Sequence, residues 1–593
     1  MKKLLSLLLA FLMVFVLFGT PSSLFAEGEE DTGEVTVETV IEETPEEVVE
    51  EEPELDSVIP NNPVNISIIH TNDMHGTLEG TGGYLKVIPF IADYKTNVNP
   101  NTIVVDAGDF SQGTPFVGFT KGSLMFEAID GVYDIATIGN HEFDWGRDNL
   151  FANLEKAPNV SFLNANIVWK KAKVLNSKGK KVTKKNVPMF TPNKIMEVEG
   201  VKIGFFGLAS EDFKFKVAPA TWKNVKILNT VKVAQKQVKL LKAAGCDIIV
   251  AVAHMGVDDN GGTTSQKLRS KVPGIDVILD GHSHTLCPSK IDPATDAPPN
   301  VCGTSARDAL IASQVGSLAD GFGIVQISVS NVDGYSYKEE KVKVADYSAF
   351  AEDATIKAKL DAVKTEIGPT MSVVVGSTTN ALTAFRTPTV TIDDSVRGGE
   401  SVLGNVIADA YRIVSGADIG MMNGGGIRAS IPGVATPDPS LDPTVYPYSI
   451  TKGDLNTTQP YGNNVIVIKV KGKLIKEMLE HSVSAYPTEI GAFMQVSGMT
   501  FTFDPTKEAR SPKDGTAGKR ITSITIGGKK YNKNKYYTIA MPDFAIMGGD
   551  NYNMLKKAKV VKSVGTDVDV LIAYLESLGG PVTGAKEGRI VKK

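Results

Sequence analysis

Cysteine is nearly absent from this sequence, and three residues in 593 cannot build a disulfide framework. Basic residues are missing from 27–56, where fifteen Asp and Glu stand without one Lys or Arg. Residues 1–26 show the reverse, two Lys and no acid, so the formal net charge of −6 conceals a body, 57–593, at +7. Over 537 residues that surplus is too dilute for a nucleic-acid groove, yet it suits small anionic substrates. No apolar run beyond residue 18 is long enough to cross a bilayer. There is neither a Walker sequence nor a strand-linked G-x-G-x-x-G, so the usual intracellular nucleotide cradles are excluded.

What is there begins with a leader. Lys2 and Lys3 precede the apolar run 4–18, and Ser22, Ser23 and Ala26 offer a cleavage site, the pattern of a signal peptide over 1–26. The mature chain is therefore expected to be secreted, outside the cell or in its envelope, a monomer without stable membrane insertion. Residues 27–61 read as a disordered acidic linker, because like charges resist collapse. Beyond them the composition, 42% apolar and 22% charged for the whole chain, is that of globular domains. Six β-rich runs, starting at Val64, Thr102, Ile135, Lys202, Ile248 and Val277, are interspersed with helix-like segments such as Val231–Ala244. That alternation predicts a layered α/β domain over 62–345. The polar, helix-periodic stretch 349–366 predicts a linking helix within 346–370, and a second α/β domain follows over 371–593.

Six of the seven histidines lie in the first domain, and five of those six fall just after an expected strand, among Asp, Asn and Gly. The motifs are Asn72-Asp73-Met74-His75, Gly108-Asp109, Gly139-Asn140-His141-Glu142-Phe143-Asp144, His254-Met255-Gly256 and Gly281-His282-Ser283-His284. Open α/β sheets build their sites at the carboxyl ends of strands. The i, i+2 pairs Asp73/His75 and His282/His284 would each point both side chains to one face in extended backbone. Imidazole with carboxylate suits Zn, Mn, Fe or Co rather than the all-oxygen cages of Ca or Mg. Seven candidate ligands, Asp73, His75, Asp109, Asn140, His254, His282 and His284, are too many for one tetrahedral ion. They match two divalent ions sharing a bridging carboxylate, for which Asp109 is the natural choice. His70, inside a strand, and His481, in the helix-like run Lys473–Ser484, read as structural. Cys287 and Cys302 bracket a 16-residue loop whose disulfide would add about 3 kcal/mol, and Cys246 reads as a buried free thiol.

These motifs, with Asn423-Gly424-Gly425-Gly426-Ile427-Arg428 in the second half, resemble the bacterial secreted 5′-nucleotidase family. The resemblance covers 62–593 and implies an αββα-type metallophosphoesterase domain followed by an α/β nucleotide-binding domain. It implies one ion on Asp73, His75, Asp109 and His284, and another on Asp109, Asn140, His254 and His282. His284 occupies a position that varies in the family. His141, oriented by Asp144, would be the catalytic dyad that stabilises charge on the phosphoryl group. Arg397, Asn423 and Arg428 would hold phosphate and base, Tyr461 and Phe544 would stack on the base, and Asp550 would bind the ribose. Tyr461 stands where phenylalanine is frequent. The three glycines of 424–426 are read as letting backbone approach a ligand. The implied reaction is attack of metal-activated water on a nucleoside 5′-monophosphate, with substrate between the domains. A 2′,3′-cyclic-nucleotide phosphodiesterase with 3′-nucleotidase activity, a UDP-sugar hydrolase or a nucleoside di- or triphosphatase shares these motifs. A nucleotide-binding envelope protein is the non-enzymatic alternative.

Overall fold

The computed structural model describes the strand Thr36–Val40 and residues 62–593, apart from 81, 176–179, 218, 258–261, 285–320, 332–333, 387–390, 433–446 and 512–515. The expected signal peptide and the Cys287/Cys302 pair lie outside the described residues. Cys246 is unbridged but only half-buried, a correction to the buried thiol expected. The chain divides into two units, residues 1–48 with 171–185 and residues 49–170 with 186–593. In the first, the strand Thr36–Val40 corrects the expectation of disorder across the whole acidic linker. It pairs in parallel with the chain at Lys173 and Leu175. Its two Thr and two Val favour a strand despite the charge around them.

The larger unit contains both expected α/β halves. Its first sheet aligns Val64–Thr71, Thr102–Asp106, Ile135–Thr137 and Ser161–Leu163 in parallel, with Gly321–Ser330 and Gly334–Lys343 antiparallel at one side. Its second sheet aligns Val201–Ala209, Ile248–His254 and Val277–Leu279 in parallel, with Asn193–Val198 antiparallel at the edge. Ile68, Val105 and Ile135 of the first sheet share one core with Phe205, Val250 and Val277 of the second. The other face of the second sheet, with Phe206, Ile249 and Ala251, packs on the helices Thr230–Ala243 and Ser265–Lys271 through Val238, Leu241 and Leu268. This is the layered α/β domain that the strand–helix alternation implied, with the two stacked sheets that the resemblance implied. It brings the carboxyl ends of both sets of parallel strands together.

The linking helix runs Ala354–Met371, capped by Asp353, whose side chain accepts from the Ile356 N–H. In the second half a mixed sheet takes the order Met494–Ser497, Ile419–Asn423, Tyr536–Pro542, Asn464–Lys471, Lys559–Thr566. The helix Val402–Ser415 packs on it, and Gly404 lets it sit tightly, since a Cβ there would come within 2.5 Å of Gln495 Cγ. No helix among the described residues is long and apolar enough to cross a membrane.

Candidate active site

Every candidate metal ligand lies at or just beyond the carboxyl end of a parallel strand. Asp73 and His75 follow Val64–Thr71, Asp109 follows Thr102–Asp106, and Asn140 follows Ile135–Thr137. His254 ends its own strand, and His282 and His284 follow Val277–Leu279. The loops do not stay extended, as the i, i+2 argument assumed. Asp73, His75, Asp109, His282 and His284 all have left-handed backbone, with φ of 50°, 47°, 59°, 83° and 56°. Non-glycine residues rarely adopt that region, and such strain gathers at functional sites. Here the backbone holds it in place: Asp73 N–H donates to Gly108 O, and His75 N–H to Asp109 O, at 3.0 and 2.9 Å. The His282 N–H donates to Asp73 Oδ2 at 2.9 Å, tying the third loop to the first.

Three groups of ligand atoms result, each within 4.8 Å of one another: Asp73/His75/His284, Asp109/His254/His282 and His75/Asp109/His141. The first two each bring together three of the four ligands that the resemblance implies for one ion, and Asp109, the candidate bridge, falls in the second and third groups rather than the first. The chemistry of the donors fits cations. His254 Nδ1 faces the Ala107 carbonyl at 2.7 Å and His75 Nδ1 the Gln112 carbonyl at 3.1 Å. A carbonyl only accepts, so each Nδ1 carries the proton and each Nε2 presents a lone pair. His254 Nε2 then stands 3.0 Å from Asp109 Oδ2, and His75 Nε2 3.0 Å from His284 Nε2. Asn140 Oδ1 is buried without a hydrogen-bond partner. Acceptors brought as close as His254 Nε2 and Asp109 Oδ2 call for positive charge between them. Burial opposes charge on His254, yet the Asp109 and Asp73 carboxylates push it up to about 10, so they draw positive charge to Nε2, which either a proton or a metal ion can supply. Burial and nearby cationic groups hold His75 and His284 low, leaving them neutral as metal ligands must be. His284 differs in one respect, because Arg386 Nη2, a donor, approaches its Nδ1 at 3.4 Å.

His141 and Asp144 form the expected pair, with Nδ1 2.7 Å from Asp144 Oδ2. The His141 N–H donates to Asp109 Oδ1 at 2.8 Å, so the bridging candidate and the dyad share one frame. Burial alone would lower the His141 pKa, but the Asp144 and Asp109 carboxylates outweigh it and raise the group above its ordinary value. Glu142, within the quoted motif but given no role there, is the buried anchor beneath. Its carboxylate accepts from the N–H groups of Asp109, Phe110, Ser111 and Gly139 at 2.7–3.1 Å.

The second half reaches the same place. The Tyr461 ring lies parallel to His141, with centroids 5.6 Å apart and planes 14° apart, and Arg428 sits 5.8 Å from the Tyr461 centroid. Burial and the positive charge of Arg428 lower Arg397 and Arg386, and these three guanidiniums gather beside the candidate ligands His75 and His284. Sequence reading missed Arg386, which lies in no motif. Asn423 Nδ2 donates to Asp550 Oδ2 at 2.9 Å, and Lys216 Nζ, from the first half, meets Asp550 Oδ1 at 3.4 Å. Asp550 itself is left-handed, with φ 48°, and its carbonyl lies 2.7 Å from His481 Nε2. His481 is thus not an ordinary helix residue, because its buried ring props the Asp550 loop. Phe544 lies against the same loop, where a Cβ on Gly549 would come within 2.5 Å of its ring. Gly424 faces the Val396 carbonyl, Gly425 the Gly491 backbone and Gly426 the Met422 side chain. Each of these glycines admits a close protein neighbour where a side chain would stand. His70 is buried within its strand and packs on Gly323.

Two sheets with a His/Asp/Asn cluster at their shared carboxyl ends, and a His–Asp pair beside it, define a metallophosphoesterase. Residues 66–286 match the calcineurin-like phosphoesterase model, and 374–557 match that of the 5′-nucleotidase C-terminal domain. The chain therefore belongs to the 5′-nucleotidase family and is a hydrolase of that family. It is 28% identical over 557 residues to the trifunctional nucleotide phosphoesterase protein of Bacillus subtilis, covering 89% of this chain but only 35% of that one. It is 27% identical to the 5′-nucleotidase of Bos taurus, covering 89% and 91% of the two chains. The crystal structure of a 5′-nucleotidase precursor from Thermus thermophilus superposes with a TM-score of 0.71 at 26% identity, covering 89% of this chain and 99% of that one.

Proposed function

We propose that this protein is a secreted 5′-nucleotidase, hydrolysing nucleoside 5′-monophosphates to nucleoside and phosphate with two divalent ions. The observation that carries the reading is the convergence of Arg428 and Tyr461 on the His141–Asp144 pair beside the ligand cluster. Asp73, His75, Asp109 and His284 would hold one ion, and Asp109, Asn140, His254 and His282 the other. Such a pair supplies Lewis acidity at phosphorus and a nucleophile at neutral pH. The rest falls to the chain's own groups. Arg386, Arg397 and Arg428 neutralise the phosphoryl oxygens, with forked guanidinium geometry suited to them. His141, kept cationic by Asp144, donates a hydrogen bond where negative charge grows in the transition state. Asn423 and Asp550 receive the nucleoside, Phe544 and Tyr461 offer aromatic faces, and Tyr461 also shields His141 from water.

A wider range of nucleotide esters, 2′,3′-cyclic nucleotides included, is the second reading; the relative named a trifunctional nucleotide phosphoesterase is by that name not confined to one activity. The deciding experiment is a panel of AMP, 2′,3′-cyclic AMP, 3′-AMP, a UDP-sugar and an aryl phosphate, with and without chelator. Chelator-sensitive turnover highest on AMP supports the reading. Chelator-insensitive turnover, or none on any nucleotide, sinks it. Export is tested separately, by sequencing the amino terminus of protein recovered from the medium or envelope.

A further inference from the structure

The strand Val201–Ala209 also ends at the ligand cluster, yet it carries none of the candidate ligands. The segment after it, Ser210-Glu211-Asp212-Phe213, is held on all sides. Glu211 accepts from the N–H groups of Thr230 and Thr263 at 3.0 and 2.8 Å, and the Ser210 N–H donates to the His254 carbonyl at 3.2 Å. Phe213 is fully buried with its ring 5.7 Å from that of His254 and 5.8 Å from that of His282. Beside it the Asp212 carboxylate, its side chain only 3% exposed, lies 3.2 Å from His282 Nε2.

We propose that Asp212 is a positioning residue, whose carboxylate accepts the Nε2–H of His282 and thereby turns Nδ1, with its lone pair, toward the ion. The proposal rests on the reading of Asp109, His254 and His282 as ligands of one ion. The neighbouring imidazoles then work with opposite nitrogens. His254 has its Nδ1 on the Ala107 carbonyl and offers Nε2, whereas His282 has its Nε2 on Asp212 and offers Nδ1. Asp212 belongs to none of the three clusters of ligand atoms, so its reach to the ion passes through the ring. The backbone contacts of its loop, such as the His282 N–H on the Asp73 carboxylate, fix where the ring is attached but not which of its two nitrogens faces the ion. A carboxylate on the far nitrogen both fixes the tautomer and raises the basicity of the ligating one.

The test is equilibrium binding of Mn²⁺ alone to the full chain, by chelator competition with metal analysis, for wild type, Asp212→Ala and Asp212→Asn. In wild type two ions bind. In Asp212→Ala one of the two weakens by about 10- to 100-fold while the other keeps its affinity. Asp212→Asn retains a side-chain oxygen for Nε2–H and recovers most of the loss. A second readout needs no Mn²⁺: in protein labelled with ¹⁵N at histidine, the His282 ring signals should move from the Nε2–H tautomer toward a mixture in Asp212→Ala. Should that variant not fold, Asp212→Asn carries the test, with a smaller loss confined to the same ion. Unchanged affinities in Asp212→Ala, parallel loss of both ions, or an Asn variant no better than Ala overturns the proposal while the metal reading stands. A wild-type protein that takes up no ion overturns both.

Discussion

The two halves of the site are built in opposite ways. In the first, the candidate ligands sit on loops that leave neighbouring parallel strands and are laced to one another by backbone hydrogen bonds, with five residues held left-handed. In the second, Arg386, Arg397, Asn423, Arg428, Tyr461, Phe544 and Asp550 come from separated segments; backbone bonds hold some of these segments, as Arg428 N–H does to Thr458 O, but the site residues meet one another through side chains, as Asn423 meets Asp550. Backbone lacing fixes atoms to fractions of an ångström, as a shared pair of ions requires. Side-chain contacts tolerate displacement, as suits a pocket that must admit a nucleoside and release it. Chemistry should therefore be fragile in the first half, and recognition separable from it in the second.

The sharpest break is Asp109→Ala. Removal of the carboxylate shared by two ligand groups should take metal content from two ions per chain toward none, with activity falling to background, whereas Asp73→Ala should mainly disturb one ion. Elemental analysis of both variants checks this, and equal stoichiometry in the two would deny Asp109 the bridge. His141→Ala should keep both ions and lower kcat by about 10²- to 10³-fold, the usual loss for one charge-stabilising donor. Because the lost contact is to the phosphoryl group, AMP and an aryl phosphate should suffer alike in steady-state kinetics.

Phe544→Ala should separate recognition from chemistry. At roughly 1–3 kcal/mol per stacked base, KM for AMP should rise about 5- to 150-fold. KM for the aryl phosphate should not move; equal damage to both substrates would make Phe544 a prop of the Asp550 loop alone. The last effect touches stability rather than turnover and concerns the frame beneath the ligands. Asp106 is buried, and burial pushes its carboxyl up to about 7 against the donors Thr71, Gly108 and Tyr84. A raised carboxyl binds its proton more tightly in the folded chain. Its stabilising contribution is complete below about pH 4 and fades as pH rises toward about 7, by at most about 4 kcal/mol. Asp106→Asn lacks that titration, so its thermal midpoint should gain on wild type between about pH 4.5 and about pH 7.5 in chelating buffer. A constant difference would show that Asp106 does not titrate with folding.

Much of this could be read along the chain. Strand-end motifs such as Gly139–Asp144 and Gly281–His284 are local, and a short loop after a buried strand can place its polar residues in few ways. Residues that act through distant partners left no such mark. Arg386 stands in no motif, and His481 looks like any helix residue until the fold sets Asp550 against it. Asp212 also follows a strand, and the strand-end argument could have found it had acids alone been weighed with the histidines. The left-handed loops were not foreseen because alternation in sequence presumes extended backbone.

The sequence by itself determined which residue types stand at the ends of which strands, since apolar runs and the polar breaks after them fix both. Only the tertiary structure decided which nitrogen of each imidazole is bare, which glycines meet protein, and which arginines converge. Those depend on neighbours far apart in the chain, such as Ala107 on His254 and Val396 on Gly424. Contacts of that kind are set by the stacking of two sheets and the seating of the second half, a geometry that no local run of residues carries.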